Sequence, residues 1–228
     1  MSNSSRQAGF VEKLRALKSL LPHAGMLRER GLAKSLQKMS PIDVDGNPLP
    51  WMSYPFIDYM AGLDLSKFRL FEFGSGNSTR YWAQRCSEVV AVENDRRWFE
   101  EISGIVPPNA RVIFAEDEAA YLGTIEQNGV FDVIVVDGAM DRRRMAERAV
   151  RFLQPTGFLV LDNSDVWVSA AQSLRNAGLI QVDMTGFAPA AHFEQTTSLF
   201  LQPGFRPVPL RRFMPVKTPW CMQHIIDE

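Results

Sequence analysis

Between Arg69 and Asp162 the chain alternates short β-branched or aromatic runs with amphipathic segments long enough for helices, and this alternation leaves few folds open. The runs are Arg69 to Phe73, Val89 to Glu93, Arg111 to Ala115, Phe131 to Asp137 and Gly157 to Asp162. Between and after them the helix candidates are Thr79 to Arg85, Arg96 to Ile105, Glu118 to Glu126, Asp141 to Leu153 and Asp165 to Ala177. A crossover helix between strands returns the chain to the same edge, so the five strands are expected parallel. Runs this apolar call for cover on both faces of the sheet. Leu179 to Thr185 and Thr197 to Leu201 alternate more strictly, and only a loop separates them, so they are expected to pair antiparallel. The spacing therefore predicts an α/β chain with a mostly parallel seven-stranded sheet, helices on both faces and an antiparallel C-terminal hairpin.

A chain of 228 residues, 46% hydrophobic and 22% charged, suits one such domain with short appendages. Residues 1–40 carry eight basic side chains against Glu12 and Glu29, which leaves the rest acidic although the formal net charge is only −1. Apolar residues at 10, 14, 17 and 21 share one helical face before Pro22, and a second helix is expected over Met26 to Met39. This basic helical N-terminal extension either packs its stripe on the parent domain or makes peripheral contact with an anionic membrane surface. Residues 41–56, rich in proline and containing Asp-Gly-Asn, read as a connector or lid. The catalytic domain is expected over 57–202, opening with a helix from Ile57 to Gly62, and a C-terminal arm over 203–228. No run reaches the ~18 apolar residues of a membrane span. With Cys86 and Cys221 as its only cysteines and no signal-peptide core, the chain is expected in the reducing cytoplasm. Oligomeric state is not legible.

The first strand ends in Glu72-Phe73-Gly74-Ser75-Gly76-Asn77-Ser78-Thr79. Two glycines spaced by one residue let the backbone turn sharply and approach a ligand at the carboxyl edge of the sheet, where open α/β folds bind theirs. Glu72 can pair with an ammonium group, and Asn77, Ser78, Thr79 and the helix N-terminus can donate to a carboxylate. A dinucleotide fingerprint would place a third glycine where Thr79 stands, which counts against an NAD(P)-dependent oxidoreductase. Glu93 closes the second strand about 20 residues on, where a carboxylate can take both ribose hydroxyls. Asp95 reads as a helix cap. Asp117, with Glu116 as competitor, follows the third strand, where an acceptor can meet an adenine amino group.

In succession Glu-Phe-Gly-Ser-Gly-Asn-Ser-Thr, Val-Val-Ala-Val-Glu, Ala-Glu-Asp, Val-Val-Asp-Gly and Leu-Val-Leu-Asp-Asn resemble the motifs of class I S-adenosylmethionine-dependent methyltransferases, over about Pro50 to Leu201. The resemblance implies a Rossmann-like fold, S-adenosylmethionine as cofactor and methyl transfer as activity. It implies that Glu72, Gly74, Gly76 and Ser78 hold the methionine end, Glu93 the ribose and Asp117 the adenine, with Asp137 beside cofactor or substrate. The acceptor is expected to be an oxygen of a small molecule or glycan.

Asp137 and the Asp162-Asn163 pair also resemble the metal site of the catechol and caffeoyl-coenzyme A O-methyltransferases, which implies Mg²⁺ at Asp137, Asp162 and Asn163. Such a hard-oxygen cluster suits that ion. The competing reading has Asp137 contact cofactor or substrate directly and Asp162-Asn163 cap the next helix. Here Gly138-Ala139-Met140-Asp141-Arg142 follows Asp137, resembling a bacterial group of uncharacterised methyltransferases, and Arg142 is then a candidate to bind an anionic substrate group. In a metal-free site His192, in the loop between the last two strands, is the candidate general base. Trp51 and Tyr54 are candidates to close the pocket from the N-terminal side. A non-catalytic scaffold docking through its basic helices is the alternative to an enzyme. Nucleic acid is not expected as a partner, because the catalytic region is acidic and no Asn-Pro-Pro-Tyr-like tetrad follows the fourth strand.

Overall fold

The computed structural model of the chain describes residues 28–210. The helix expected over Phe10 to Leu21 and most of the C-terminal arm lie outside the described residues. Strands β1 (Arg69–Phe73), β2 (Glu88–Glu93), β3 (Ala110–Phe114), β4 (Phe131–Val136), β5 (Leu153–Leu161), β6 (Ile180–Phe187) and β7 (Glu194–Leu201) form one sheet in the order β3-β2-β1-β4-β5-β7-β6. The pairings among β1 to β5 are parallel, and β7 runs antiparallel to both β5 and β6. The chain order reverses between β1 and β4, and the two strands pair through Leu70–Val133 to Phe73–Val136. Both carboxyl ends therefore meet at the switch point, which is where ligands bind in open sheets of this kind.

Helices α1 (Leu32–Lys38), α2 (Tyr54–Ala61), α3 (Asn77–Ala83), α4 (Arg96–Ser103), α5 (Glu118–Gly123), α6 (Arg142–Ala149) and α7 (Val168–Asn176) connect and cover the strands. The two-residue period of β1 sorts its side chains. Phe71 and Phe73 enter a core shared with Tyr121 of α5, Met145 of α6 and Leu174 of α7. Leu70 enters a second core with Phe56 and Met60 of α2 and Trp82 of α3. Glu72 has the parity of Leu70, so it lies on the α3 side, where a polar helix start meets it.

The expected seven-stranded sheet is present, with differences at element ends. Helix α2 begins at Tyr54, three residues before the expected Ile57, because Pro55 falls in its first turn, where no backbone N–H is required. Of the helix expected over Met26 to Met39, the described residues show helix Leu32–Lys38 preceded by a turn at Arg30 and Gly31. The segments after β3 and β4 end in 3₁₀ turns, Thr124–Asn128 and Val150–Phe152. Strand β7 starts at Glu194, three residues before Thr197, because the β6 ladder continues to a Phe187–Glu194 pair. That extension brings Gln195 into the sheet.

Candidate active site

The turn between β1 and α3 is built as a polar brace around Glu72, which is 1% exposed. Thr79 donates its hydroxyl to Glu72 Oε2 at 2.6 Å and accepts the Gly76 N–H at 3.0 Å. Burial pushes the Glu72 carboxyl up to about 8; the Ser78 and Thr79 hydroxyls oppose that rise, and the neighbouring charges of Asp137 and Glu93 reinforce it. Gly74 has φ +99°, and a Cβ there would lie 3.2 Å from the Asp137 carbonyl oxygen, so a side chain is excluded by conformation and by space.

Glu93 stands beside this turn. Its Oε1 accepts the Asn94 and Asp95 N–H groups and its Oε2 the Ser75 hydroxyl at 2.8 Å. Trp98 of α4 donates its indole N–H to the Ser75 carbonyl at 2.8 Å, and its ring lies 3.7 Å from where a Gly76 Cβ would be, so it flanks the turn. Asp95 caps α4 through the Trp98 N–H, as the sequence indicated. The Tyr121 hydroxyl is buried without a hydrogen-bond partner, at the place where a Cβ on Gly138 would collide with it at 2.3 Å. Burial raises its pKa, and the negative charges of Glu93, Glu72 and Asp137 raise it further. The charges of Glu93, Glu72 and Asp137 thus act on one hydroxyl, opposed by the Gly74 backbone, and Arg142 pairs with Asp137 alone of the three.

Some predicted ligand-binding side chains have internal tasks. Asn77 donates to the Ser40 hydroxyl at 3.1 Å and the Pro41 carbonyl at 3.0 Å, tying the N-terminal segment to the start of α3. Asp117 is the N-cap of α5, with Oδ1 accepting from Ala120 N–H at 2.9 Å.

Next to this turn, Asp137, Arg142, Asp162 and Asn163 line a cavity of about 370 Å³ together with Trp51, Phe193 and Gln195. The three residues expected to bind Mg²⁺ are therefore neighbours, but a guanidinium lies among them. Arg142 pairs with Asp137 Oδ1 at 2.8 Å and donates to the carbonyls of Gly138, Asp162 and Asp137 and to Asn163 Oδ1 at 3.1, 2.7, 3.3 and 3.3 Å. Four of these are hydrogen bonds and the fifth is the ion pair with Asp137, so most of the guanidinium's five N–H groups face protein acceptors. A divalent cation bound to Asp137 and Asn163 would sit against that positive charge, so the residues present do not fit the metal. Neither Asp162 nor Asn163 caps the next helix, whose N-cap is Trp167. Arg142, expected as a candidate for an anionic substrate group, lines the cavity, but its hydrogen bonds hold the ends of β4 and β5 together and its charge is paired with Asp137.

Asp162 is 2% exposed, and among the described residues no cation forms an ion pair with its carboxylate. Thr197 donates to its Oδ1 at 2.6 Å, and the Gln195 amide reaches both oxygens at 3.2 Å. Burial raises the Asp162 pKa well above the usual carboxyl range, and the adjacent Asp137 charge adds to the rise. Gln195 also donates to the Trp51 carbonyl at 2.9 Å, and Ser53 N–H donates to the Thr197 hydroxyl at 3.0 Å, so the segment before α2 is pinned along the cavity. His192 is exposed, stacks edge-on with Phe193 and is not a lining residue. Tyr54 is buried in the α2 core with its hydroxyl unpartnered, so Trp51 alone of the two candidates reaches the cavity. Tyr121, Trp98, Ser75, Gln195 and Phe193 were not singled out from the sequence. Only the placement of Gln195 and Phe193 just before a strand over the carboxyl edge could have suggested them.

No protein-family model matches the sequence, and no curated protein matches it. Among solved structures, the precorrin-6y C5,15-methyltransferase of Geobacter metallireducens GS-15 superposes with a TM-score of 0.53 at 11% identity, over 65% of this chain and 87% of that one. N-methyltransferase NodS of Bradyrhizobium japonicum WM9 gives 0.48 at 17% identity, over 65% and 92%. A TehB-like S-adenosylmethionine-dependent methyltransferase of Corynebacterium glutamicum gives 0.46 at 19%, over 64% and 84%. With the strand order described above, the first of these places the chain in the class I methyltransferase fold.

Proposed function

We propose that the protein transfers a methyl group from S-adenosylmethionine to an oxygen of a small molecule or glycan. The observation that carries this reading is the convergence of Glu72, Glu93 and Asp137 around the bare turn at Gly74 and the orphaned Tyr121 hydroxyl. Buried carboxylates in excess of their counter-charges call for a cationic ligand, and this cofactor carries an ammonium and a sulfonium. Glu72 would take the ammonium, and Gly74 would let the methionine end approach the backbone. Glu93 would take the ribose hydroxyls in place of the Ser75 hydroxyl, and the free edge of Asp117 would meet the adenine. Asp137 would lie between cofactor and acceptor.

When bound, the cofactor supplies an electrophilic methyl whose bond to sulfur breaks with the electron pair going to sulfur as the acceptor lone pair forms its bond to carbon. The protein's own part is chiefly to hold an acceptor in line and exclude water from it. The acceptor proton leaves toward a carboxylate; Asp162, buried in the cavity wall, takes the place proposed from the sequence for His192. Isothermal titration with S-adenosylhomocysteine tests the reading. Binding is expected, weakened by at least tenfold in Glu93→Ala and in Gly74→Val; equal affinity in both variants, or no binding by the wild type, refutes it.

A further inference from the structure

The cavity carries information about the acceptor that the fold does not. Asp137, Arg142 and Asp162 are its charged lining residues, and Arg142 is already ion-paired with Asp137 while donating four hydrogen bonds to the ends of β4 and β5. An entering carboxylate or phosphate would meet two carboxyl groups and a single cation already paired with one of them, so its desolvation would be poorly compensated. Hydrogen-bond acceptors, by contrast, are in supply. Asp162 Oδ2 shares only the 3.2 Å Gln195 contact, and Gln195 is 5% exposed, with its amide N–H₂ spent on Asp162 and Trp51 and its Oε1 accepting no hydrogen bond among the described residues. The remaining walls are aromatic. Trp51 and Phe193 line the cavity and are 45% and 52% exposed, so apolar ring surface is available there to a flat partner.

Resting on the methyltransferase reading, we infer that the acceptor is a planar aromatic hydroxyl compound, neutral or cationic, whose O–H is received by Asp162 and Gln195 while its ring lies against Trp51 and Phe193, and that acceptors bearing a carboxylate or phosphate are rejected. The step balances: the phenolic oxygen forms its bond to the methyl as the methyl–sulfur bond breaks with its electron pair going to sulfur, and the O–H bond breaks with the proton passing to the Asp162 carboxylate and on to water. Gln195 is a positioning residue in this arrangement, since it fixes both the Asp162 carboxylate and the Trp51 backbone.

Tyramine and 4-hydroxyphenylacetate share a ring and a phenol and differ in the charge at the far end, so they make a matched pair of probes. Ligand-observed NMR with protein saturated with S-adenosylhomocysteine is expected to show tyramine binding at least tenfold tighter than 4-hydroxyphenylacetate, with methyl-β-D-glucoside weaker than tyramine. Asp162→Asn should weaken tyramine by about tenfold and narrow the discrimination against the anion. Phe193→Ala, a change at an exposed position that leaves the core intact, should weaken tyramine severalfold without altering S-adenosylhomocysteine affinity. Equal or tighter binding of 4-hydroxyphenylacetate, preference for the glucoside, or tyramine affinity unchanged in Phe193→Ala overturns the inference while the cofactor reading stands. Failure of S-adenosylhomocysteine to bind removes the cofactor reading and this inference together.

Discussion

Replacing Glu72 by Gln converts a buried carboxyl into a neutral group of the same shape, and its effect should appear as a change in the pH dependence of stability. The carboxyl moves from an ordinary value of 4.5 to about 8 in the folded protein, with burial as the main cause. Between those values the native state binds a proton that the unfolded chain has released, so the contribution of this group is favourable at low pH and is lost as pH rises, completely so above about 8. Each pH unit in the window is worth about 1.4 kcal/mol. From pH 5.5 to 7.5 the wild type should therefore lose about 3 kcal/mol more than Glu72→Gln, which for a chain of this length is about 5–10 °C in Tm. Asp58, Asp137 and Asp162 are also raised by burial and slope the same way in both proteins, so the difference between the two profiles isolates Glu72. The assay is thermal unfolding followed by circular dichroism at half-unit steps of pH. Parallel profiles for the two proteins would show that Glu72 is ionised throughout, and the argument that it awaits a cationic partner would fail.

Gly138→Ala places a Cβ 2.3 Å from the Tyr121 hydroxyl and 2.9 Å from the Met145 methyl; it should cost about 1–3 kcal/mol in urea unfolding, and Tyr121→Phe in the same chain should restore part of that loss. Arg142→Met leaves the Asp137 carboxylate without its partner and four further acceptors without this donor. A loss of about 3–5 kcal/mol is expected, only partly recovered by Lys, which lacks the planar fork. Prolonged dialysis against EDTA should change neither Tm nor S-adenosylhomocysteine affinity; a drop in either, restored by Mg²⁺, would return the metal to Asp137, Asp162 and Asn163. Because the cofactor ammonium needs Glu72 ionised, S-adenosylhomocysteine affinity should rise with pH up to about 8, and calorimetry in two buffers should show proton release on binding; a flat profile with no proton release contradicts the pairing.

The sheet was legible because strands such as Val89 to Val92 and Val133 to Val136 are buried on both faces, and such strands leave continuous apolar runs in the sequence. The turn at Gly74 was legible for a related reason: a positive φ at a strand end in contact with a neighbouring backbone leaves glycine as the fitting residue. Side-chain partnerships were not. Thr79 and Asn77 have the donors a ligand would want, but satisfying Glu72, the Ser40 hydroxyl and the Pro41 carbonyl uses them first, and nothing in the local pattern distinguishes the two uses. The same holds for Asp137, Asp162 and Asn163, whose residue types fit a metal until Arg142, twenty positions before Asp162, folds back among them. Gln195 was hidden by its position, since a polar residue at the start of a strand reads as loop.

A crystal structure with bound S-adenosylhomocysteine tests the central claim most directly. The account predicts density along the turn from 72 to 79, with the amino group at Glu72, the ribose at Glu93 in place of the Ser75 hydroxyl, and the sulfur facing the cavity formed by Asp137 and Asp162. Density elsewhere on the molecule, or a turn that remains closed by its own hydrogen bonds at saturating ligand, would contradict it.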